Sequence, residues 1–174
     1  MVLIKGVAIL EGIPLSIMYE AIANAKTRLK WETLLGNFEV VEAYPDGVSE
    51  VIYFTVNAPM TIQNRDFVQK RITLFEYPQK RQILMHFQSI EHPAKPVYKN
   101  FVRAHTTIAG YLFKEISAFP LRCSLSIVSQ VDIKGLIPKS IVNMCAGRSS
   151  RNWVRSYREG CKKLLAEMRT SKKI

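Results

Sequence analysis

Residues 131–143, which read VDIKGLIPKSIVN, join two different kinds of sequence. Residues 121–132, which end within the start of this stretch, alternate with the period of two that is typical of a strand. From Pro138 onward, apolar residues recur at every third or fourth position, as they do on one face of a helix. The stretch therefore marks the passage from strands to one long C-terminal helix, predicted over about residues 138–170.

The predicted helix has one apolar stripe and one small-residue segment. The stripe consists of Val154, Tyr157, Cys161, Leu164, Leu165 and Met168. Projecting the same face toward the start of the helix meets the small residues Asn143, Ala146, Gly147 and Ser150. The first half of the helix should therefore leave space on its inward side, which the second half fills.

Most of the chain before this helix predicts strands. They are expected at residues 3–10, 38–44, 48–56, 67–77, 81–90, 101–117 and 121–132. Two short helices are expected early, one from Leu15 after Pro14 and one over residues 29–35. Strands linked by turns such as Pro45-Asp46-Gly47 favour an antiparallel sheet. We predict one α+β domain over residues 1–174, with a curved sheet of about seven strands wrapped around the final helix.

The net charge of +11 is concentrated at the C-terminus. From Lys139 onward the chain has ten Lys or Arg residues but only Glu159 and Glu167 as acids. This distribution implies an anionic partner, either a membrane surface or nucleic acid. The basic residues are not interleaved with an aromatic platform, so nucleic acid is not expected.

Several other classes of function lack support in the sequence. No apolar run is long enough to span a membrane, and MVLIKGVAIL does not resemble a signal peptide, so a cytoplasmic protein is expected. The three cysteines and three histidines show no metal-ligand spacing and no catalytic set, so we expect neither a metal or cofactor nor enzyme activity. A catalytic arrangement assembled across strands remains an alternative.

Four motifs in order along the chain resemble the START family of lipid-transfer domains. They are RLKWE at residues 28–32, NRDFVQKR at 64–71, Val102-Arg103 followed by Gly110-Tyr111, and VDIKGLIPKSIVN, the most specific of the four. The resemblance covers about residues 3–168 and is greatest to the phosphatidylcholine-transfer type. It implies a helix-grip fold, in which the sheet and the C-terminal helix enclose a cavity for one lipid. Family members usually have a further helix and two strands ahead of the region matched here.

Arg71 is the principal candidate for contact with a ligand. The resemblance implies that this side chain points into the cavity and meets the polar head of the lipid, commonly a phosphate. A guanidinium group suits a phosphate, whereas an unpaired buried cation is costly. Some cholesterol-binding members pair this arginine with an acid on the preceding strand. Residues 51–56 contain no acid and Glu50 lies at the start of that strand, so we expect Arg71 to lack a protein partner.

The remaining site predictions fall into two groups. The predicted ligand contacts are Arg71, Gln69, Thr73, Tyr111, Asn143, Gly147, Val154, Tyr157 and Cys161. The predicted membrane contacts are Pro59, Met60 and Ile62 in the family's gating loop, and Arg151, Arg155 and Arg158 on the helix. An ordinary hairpin loop and a solvated helix face are the alternatives. Arg65 and Asp66 are expected to anchor the end of the loop.

Taken together, these features predict a monomeric lipid-binding and lipid-transfer protein that associates peripherally with anionic membranes. A glycerophospholipid is the expected cargo. The alternatives are a sterol ligand or a lipid sensor or scaffold and, with less support, a nucleic-acid-binding protein or a helix-grip enzyme.

Overall fold

The computed structural model describes residues 2–58, 62–135, 137 and 139–171, with the backbone alone for residue 2 and residues 139–150. The strands are β1 (Val2–Glu11), β2 (Leu35–Ala43), β3 (Ser49–Val56), β4 (Arg65–Phe75), β5 (Gln82–Ser89), β6 (Val102–Arg103), β7 (His105–Ala118) and β8 (Leu121–Asp132). The helices are α1 (Leu15–Ala23), α2 (Ala25–Trp31) and α3 (Lys139–Ser171). The predicted α+β order and the long C-terminal helix are confirmed.

One antiparallel sheet runs in the order β1-β8-β7-β5-β4-β3-β2. The two-residue strand β6 lies off this path and pairs with β4 in parallel, which makes eight strands where about seven were predicted. The tight turn between β2 and β3 forms as expected. Gly47 adopts a positive φ of 70°, and the Asp46 carboxylate accepts hydrogen bonds from the backbone N–H groups of Val48 and Ser49.

Two predicted element boundaries are wrong. The second helix occupies Ala25–Trp31 rather than residues 29–35, because Asn24 caps it by accepting a hydrogen bond from the backbone N–H of Thr27. The predicted strand at 101–117 is divided at Ala104. There the chain leaves its parallel pairing with β4, and the Ala104 N–H donates to the Asp66 carbonyl at 3.0 Å.

Both faces of the middle of the sheet are covered. The large core lies on the face against the helices and includes Ile52, Met85 and Phe113. A smaller cluster on the opposite face contains Val51, Tyr53 and Val68, with Ile90 and Tyr98 from the connection after β5 packed against it. The start of β4 is therefore buried on both faces, which explains why charged residues there require partners.

Helix α3 packs on α1, α2 and β1. The Tyr157 hydroxyl donates to the Met18 carbonyl at 2.8 Å, and Arg158 Nη2 donates to the Ile9 carbonyl at 3.2 Å. The indole of Trp31 lies directly against Gly160, where an added Cβ would approach Trp31 Cγ to 2.6 Å. A glycine is needed at this point for α2 and α3 to pack so closely.

Candidate functional site

Arg71 lies on the helix-facing side of β4 and is only 3% exposed. Its Nη2 atom is 2.6 Å from Glu50 Oε2, and its Nη1 donates to the Ala23 carbonyl at 3.0 Å. The prediction that Arg71 lacks a protein partner is wrong. The pairing of β3 with β4 places Glu50 directly opposite Arg71, so the two side chains share one face of the sheet.

The contact with Ala23 gives Arg71 a structural role. Ala23 is the last residue of α1, and a cation at a helix C-terminus interacts favourably with the helix dipole and the free carbonyls. Arg71 therefore attaches the corner between α1 and α2 to the sheet. Its Nε atom is buried and makes no hydrogen bond to the described residues.

An open cleft of about 480 Å³ lies beside this ion pair. Its lining residues come from the end of α1, the start of α2, and β2, β3 and β4, and are Tyr19, Glu20, Ala23, Asn24, Ala25, Lys26, Val40, Glu50 and Arg71. Glu50 is 30% exposed on its side chain, so the cleft brings solvent to the carboxylate, while the guanidinium behind it stays buried.

Gln69 and Thr73 share the face of Arg71 and are buried. Gln69 Nε2 donates to Thr106 Oγ1 at 2.6 Å. Thr73 hydrogen-bonds to the Tyr19 hydroxyl, and burial, partly offset by the nearby Arg71, raises the pKa of Tyr19. Both predicted contact residues thus face the interior with protein partners. Contact with a ligand remains a prediction for each of them.

A second buried ion pair on α2 was missed by the sequence analysis. Arg28 Nε is 2.7 Å from Glu32 Oε2, and both side chains are largely buried. Trp153 Nε1 on α3 donates to Glu32 Oε1 at 2.8 Å. Arg28 also hydrogen-bonds to Tyr111, one of the predicted ligand contacts. The sequence contained a signal for this cluster, because residues 28, 31 and 32 share one helix face and Trp31 is a typical core residue.

Electrostatics in this cluster favour a charged Arg28 and a neutral Tyr111. Burial disfavours the cation, but Glu32 and Tyr111 more than offset it, so the pKa of Arg28 is raised. Burial raises the pKa of Tyr111, and Arg28 opposes that effect. The guanidinium also lies 5.1 Å from the centroid of the Phe38 ring, a typical cation–π distance.

Aromatic rings surround the Arg28–Glu32 pair. Trp31 and Trp153 meet edge to face at 5.4 Å, Trp153 stacks on Tyr157 at 5.3 Å, and Phe87 lies 5.0 Å from Tyr111. The predicted contacts Val154, Tyr157 and Cys161 belong to or pack against this core. Burial raises the pKa of the Cys161 thiol to about 12. For the predicted contacts Asn143 and Gly147 the structure describes the backbone alone, so their contact with a ligand stays a prediction.

The loop between β3 and β4 is fixed at its base. The Asn64 side chain accepts a hydrogen bond from the Ala58 N–H at 2.9 Å, and Gln63 Nε2 donates to the Lys99 carbonyl at 2.9 Å. Ile62 is partly buried, whereas the predicted membrane contacts Pro59 and Met60 lie outside the described residues.

Arg65 and Asp66 anchor the end of this loop, as predicted. Arg65 donates to the carbonyls of Gln63, Ile133 and Lys134, and so connects the loop to the segment that leads into α3. Asp66 is fully buried and forms a bidentate ion pair with Arg103, with distances of 3.0 and 2.8 Å. Arg65 therefore holds the end of the loop against residues 133 and 134 of the segment that leads into α3.

The predicted membrane-facing arginines of α3, Arg151, Arg155 and Arg158, are exposed. Within the described residues, no helix has the length and apolar character needed to cross a bilayer. The same residues contain no group of three or more His, Cys, Asp or Glu side chains placed to hold a metal ion.

The chain is similar to known proteins over most of its length. The family model for the START domain matches residues 3–167. START domain-containing protein 10 of Mus musculus is 29% identical over 132 residues, which is 75% of this chain but only 43% of that protein. StAR-related lipid transfer protein 5 of Bos taurus is 27% identical over 163 residues, covering 92% of this chain and 76% of that protein. The crystal structure of human STARD10 superposes with a TM-score of 0.86 at 23% identity, over 97% of this chain and 66% of that one.

Proposed function

The chain belongs to the START domain family, and from this membership we propose that it holds one lipid inside the helix-grip fold and carries it between membranes. Exposing the acyl chains of a lipid to water costs about 0.8 kcal/mol per methylene, so a chain of a dozen carbons costs roughly 10 kcal/mol. An enclosed apolar interior removes most of that cost. The whole chain would act as one lipid-binding domain.

The main support for this proposal is two ion pairs with buried arginines, one at helix α2 and one on strand β4. Arg28 pairs with Glu32 among aromatic rings, and Arg71 pairs with Glu50 beside the cleft. A buried ion pair contributes little net stability, because replacing it with well-packed apolar residues of similar volume is often neutral or stabilising. Their presence next to an apolar interior is accounted for if they bind the polar head of a lipid.

The charge balance of these pairs favours a head with no net charge. Each buried arginine is already neutralised by a carboxylate, so a net anionic head would add an uncompensated charge. A zwitterionic head can align against an ion pair, with its phosphate toward the guanidinium and its ammonium toward the carboxylate. Phosphatidylcholine is therefore the proposed cargo. Arg71 Nε makes no hydrogen bond to the described residues and could supply a further donor to the phosphate.

One observation favours a sterol as the second candidate. In some cholesterol-binding members of the family, an acid on the preceding strand pairs with the cavity arginine. The Arg71–Glu50 contact has that arrangement. A sterol would use its single hydroxyl as a hydrogen-bonding partner of the pair and would leave both charges satisfied.

Membrane contact is proposed for the loop between β3 and β4 and for the exposed arginines of α3. Cations near an anionic bilayer contribute about 1 kcal/mol each, so Arg151, Arg155 and Arg158 would hold the domain at the surface while the loop opens. The proposal places the protein at the cytoplasmic face of membranes as a peripheral monomer. It includes no chemical reaction and no nucleic-acid partner.

Transfer between vesicles tests this function. Donor vesicles would carry fluorescent phosphatidylcholine or fluorescent cholesterol, and acceptor vesicles would be unlabelled. We expect phosphatidylcholine to move faster with the protein than without it. If the protein accelerates the transfer of cholesterol alone, the cargo is a sterol. If it accelerates the transfer of neither lipid, the proposed function is contradicted.

A further inference from the structure

Four large apolar side chains are exposed at one end of the sheet. They are Phe75 at 56%, Tyr77 at 49%, Ile116 at 47% and Phe119 at 95% exposed. Scattered exposed apolar residues are ordinary, but a phenylalanine with almost its whole surface in water needs an explanation. We call these four residues the hairpin-tip surface.

The two turns that carry these residues are neighbours. Phe75 is the last residue of β4, and Tyr77 lies in the connection from β4 to β5. Ile116 lies near the end of β7, and Phe119 lies in the connection from β7 to β8. Strands β5 and β7 pair directly, and Arg81 Nη1 is 2.8 Å from Glu115 Oε1 where the two connections meet. Strand β7 continues beyond that point to Ala118, so the Phe119 turn projects past the sheet.

This surface lies far from the β3–β4 loop, which is one of the membrane contacts proposed above. The β3–β4 loop precedes Arg65 at one end of β4, and Phe75 is at the other end. At about 3.4 Å per residue, the strand separates the two by roughly 34 Å. The hairpin-tip surface is therefore independent of the loop that is proposed to open.

The charges around the hairpin-tip surface suit a lipid headgroup layer. Lys80, Arg81, Lys114 and Arg122 flank the apolar residues, and the nearby acids are Glu11, Glu76 and Glu115. Arg81 pairs with Glu115, and Arg122 pairs with Glu11. Apart from these two ion pairs, the surface carries the positive charges of Lys80 and Lys114 and the negative charge of Glu76, which is a net charge of +1 beside the aromatic rings. Aromatic rings favour the bilayer interface, and lysine stems can extend from it toward phosphates.

We propose that the hairpin-tip surface is a second bilayer contact, on the end of the domain opposite the β3–β4 loop. Phe119 enters the headgroup region, with Tyr77 beside it at the interface. Such a contact would keep the domain on a membrane while the loop at the other end is free. Attachment through this surface does not depend on which lipid the interior holds.

A tryptophan at the tip reports insertion directly. Phe119→Trp would be mixed with vesicles of about 4:1 phosphatidylcholine to phosphatidylserine, and the wild-type spectrum, which contains Trp31 and Trp153, would be subtracted. We expect a blue shift of the added emission and quenching by brominated phosphatidylcholine. Unchanged emission while the protein sediments with the vesicles would overturn the proposal.

Removal of the ring tests the energetic contribution of Phe119. Burial of a phenylalanine is worth enough that Phe119→Ser should weaken vesicle partitioning about tenfold. Val7→Ser is the matched control, because Val7 is 70% exposed on the outer face of β1 and its loss should leave partitioning unchanged. Equal partitioning of Phe119→Ser and wild type would overturn the proposal. If Phe119→Ser binds vesicles more weakly but still holds its lipid, the loss concerns attachment to the membrane and not the proposed lipid carriage.

Discussion

The Arg71–Glu50 pair permits a quantitative prediction, because the surroundings of the two side chains differ. Arg71 is 3% exposed and caps the Ala23 carbonyl, whereas Glu50 is 30% exposed at the cleft. Removing one partner of a buried pair typically costs 3–5 kcal/mol, and water at Glu50 reduces that penalty. Glu50→Leu leaves the buried guanidinium unpaired, so we expect it to lower the free energy of unfolding by about 3–5 kcal/mol. Arg71→Leu leaves a carboxylate that water can reach, together with an uncapped Ala23 carbonyl, so we expect a loss of about 2–4 kcal/mol.

The double variant tests whether the pair itself is responsible for these losses. The double variant Arg71→Leu with Glu50→Leu leaves no charge without a partner, so its free energy of unfolding should lie within about 1–2 kcal/mol of the wild-type value. The remaining loss comes from the Ala23 carbonyl, which no longer accepts a hydrogen bond from Arg71. Urea unfolding followed by circular dichroism measures all four proteins, and the cycle should show a coupling of about 2 kcal/mol or more. The exposed pair Lys162–Glu159 is the control, where substitution should change stability by less than about 0.5 kcal/mol. If the double variant loses the sum of the two single losses, the reasoning is refuted.

Three further predictions concern the core and its titration. Gly160→Ala should cost about 1–3 kcal/mol and alter tryptophan emission, because its Cβ would overlap Trp31; an unchanged thermal midpoint would contradict this packing. Trp153→Phe removes the hydrogen bond to Glu32 and should cost about 1–3 kcal/mol in urea unfolding, whereas Glu32→Gln in the same background should then cost little more. Burial raises the pKa of Cys123 to about 11 and of Cys161 to about 12, so both thiols stay protonated in the fold at pH values where unfolded thiols ionise. The free energy of unfolding should therefore fall as the pH rises from about 9 toward 12, and it should fall less steeply in the Cys123→Ala and Cys161→Ala variants. Equal slopes in wild type and variants would contradict this assignment.

The order of elements could be predicted because local signals were strong. Residues 121–132 were predicted as a strand and form β8 with those bounds, and the apolar stripe of the final helix reaches the core through Val154, Tyr157 and Cys161. The predicted start of the second helix failed because Asn24 combines two roles, ending α1 and capping α2.

The partner of Arg71 could not be predicted from local sequence because it depends on strand register. The connection between β3 and β4 is long enough to allow several registers, and only one of them places Glu50 opposite Arg71. The Arg28–Glu32 pair is a different case. Its i, i+4 spacing and the neighbouring Trp31 were visible in the sequence, but the burial of the pair depends on the docking of α3 through Trp153.

The central claim is that the chain encloses one lipid molecule. Native mass spectrometry of the purified protein, before and after incubation with phosphatidylcholine vesicles, measures this most directly. If the chain encloses one lipid, we expect a single species heavier than the 19.9 kDa chain by the mass of one lipid, with phosphatidylcholine as the adduct after incubation. The bare chain mass under both conditions, and after incubation with cholesterol-containing vesicles, would contradict it.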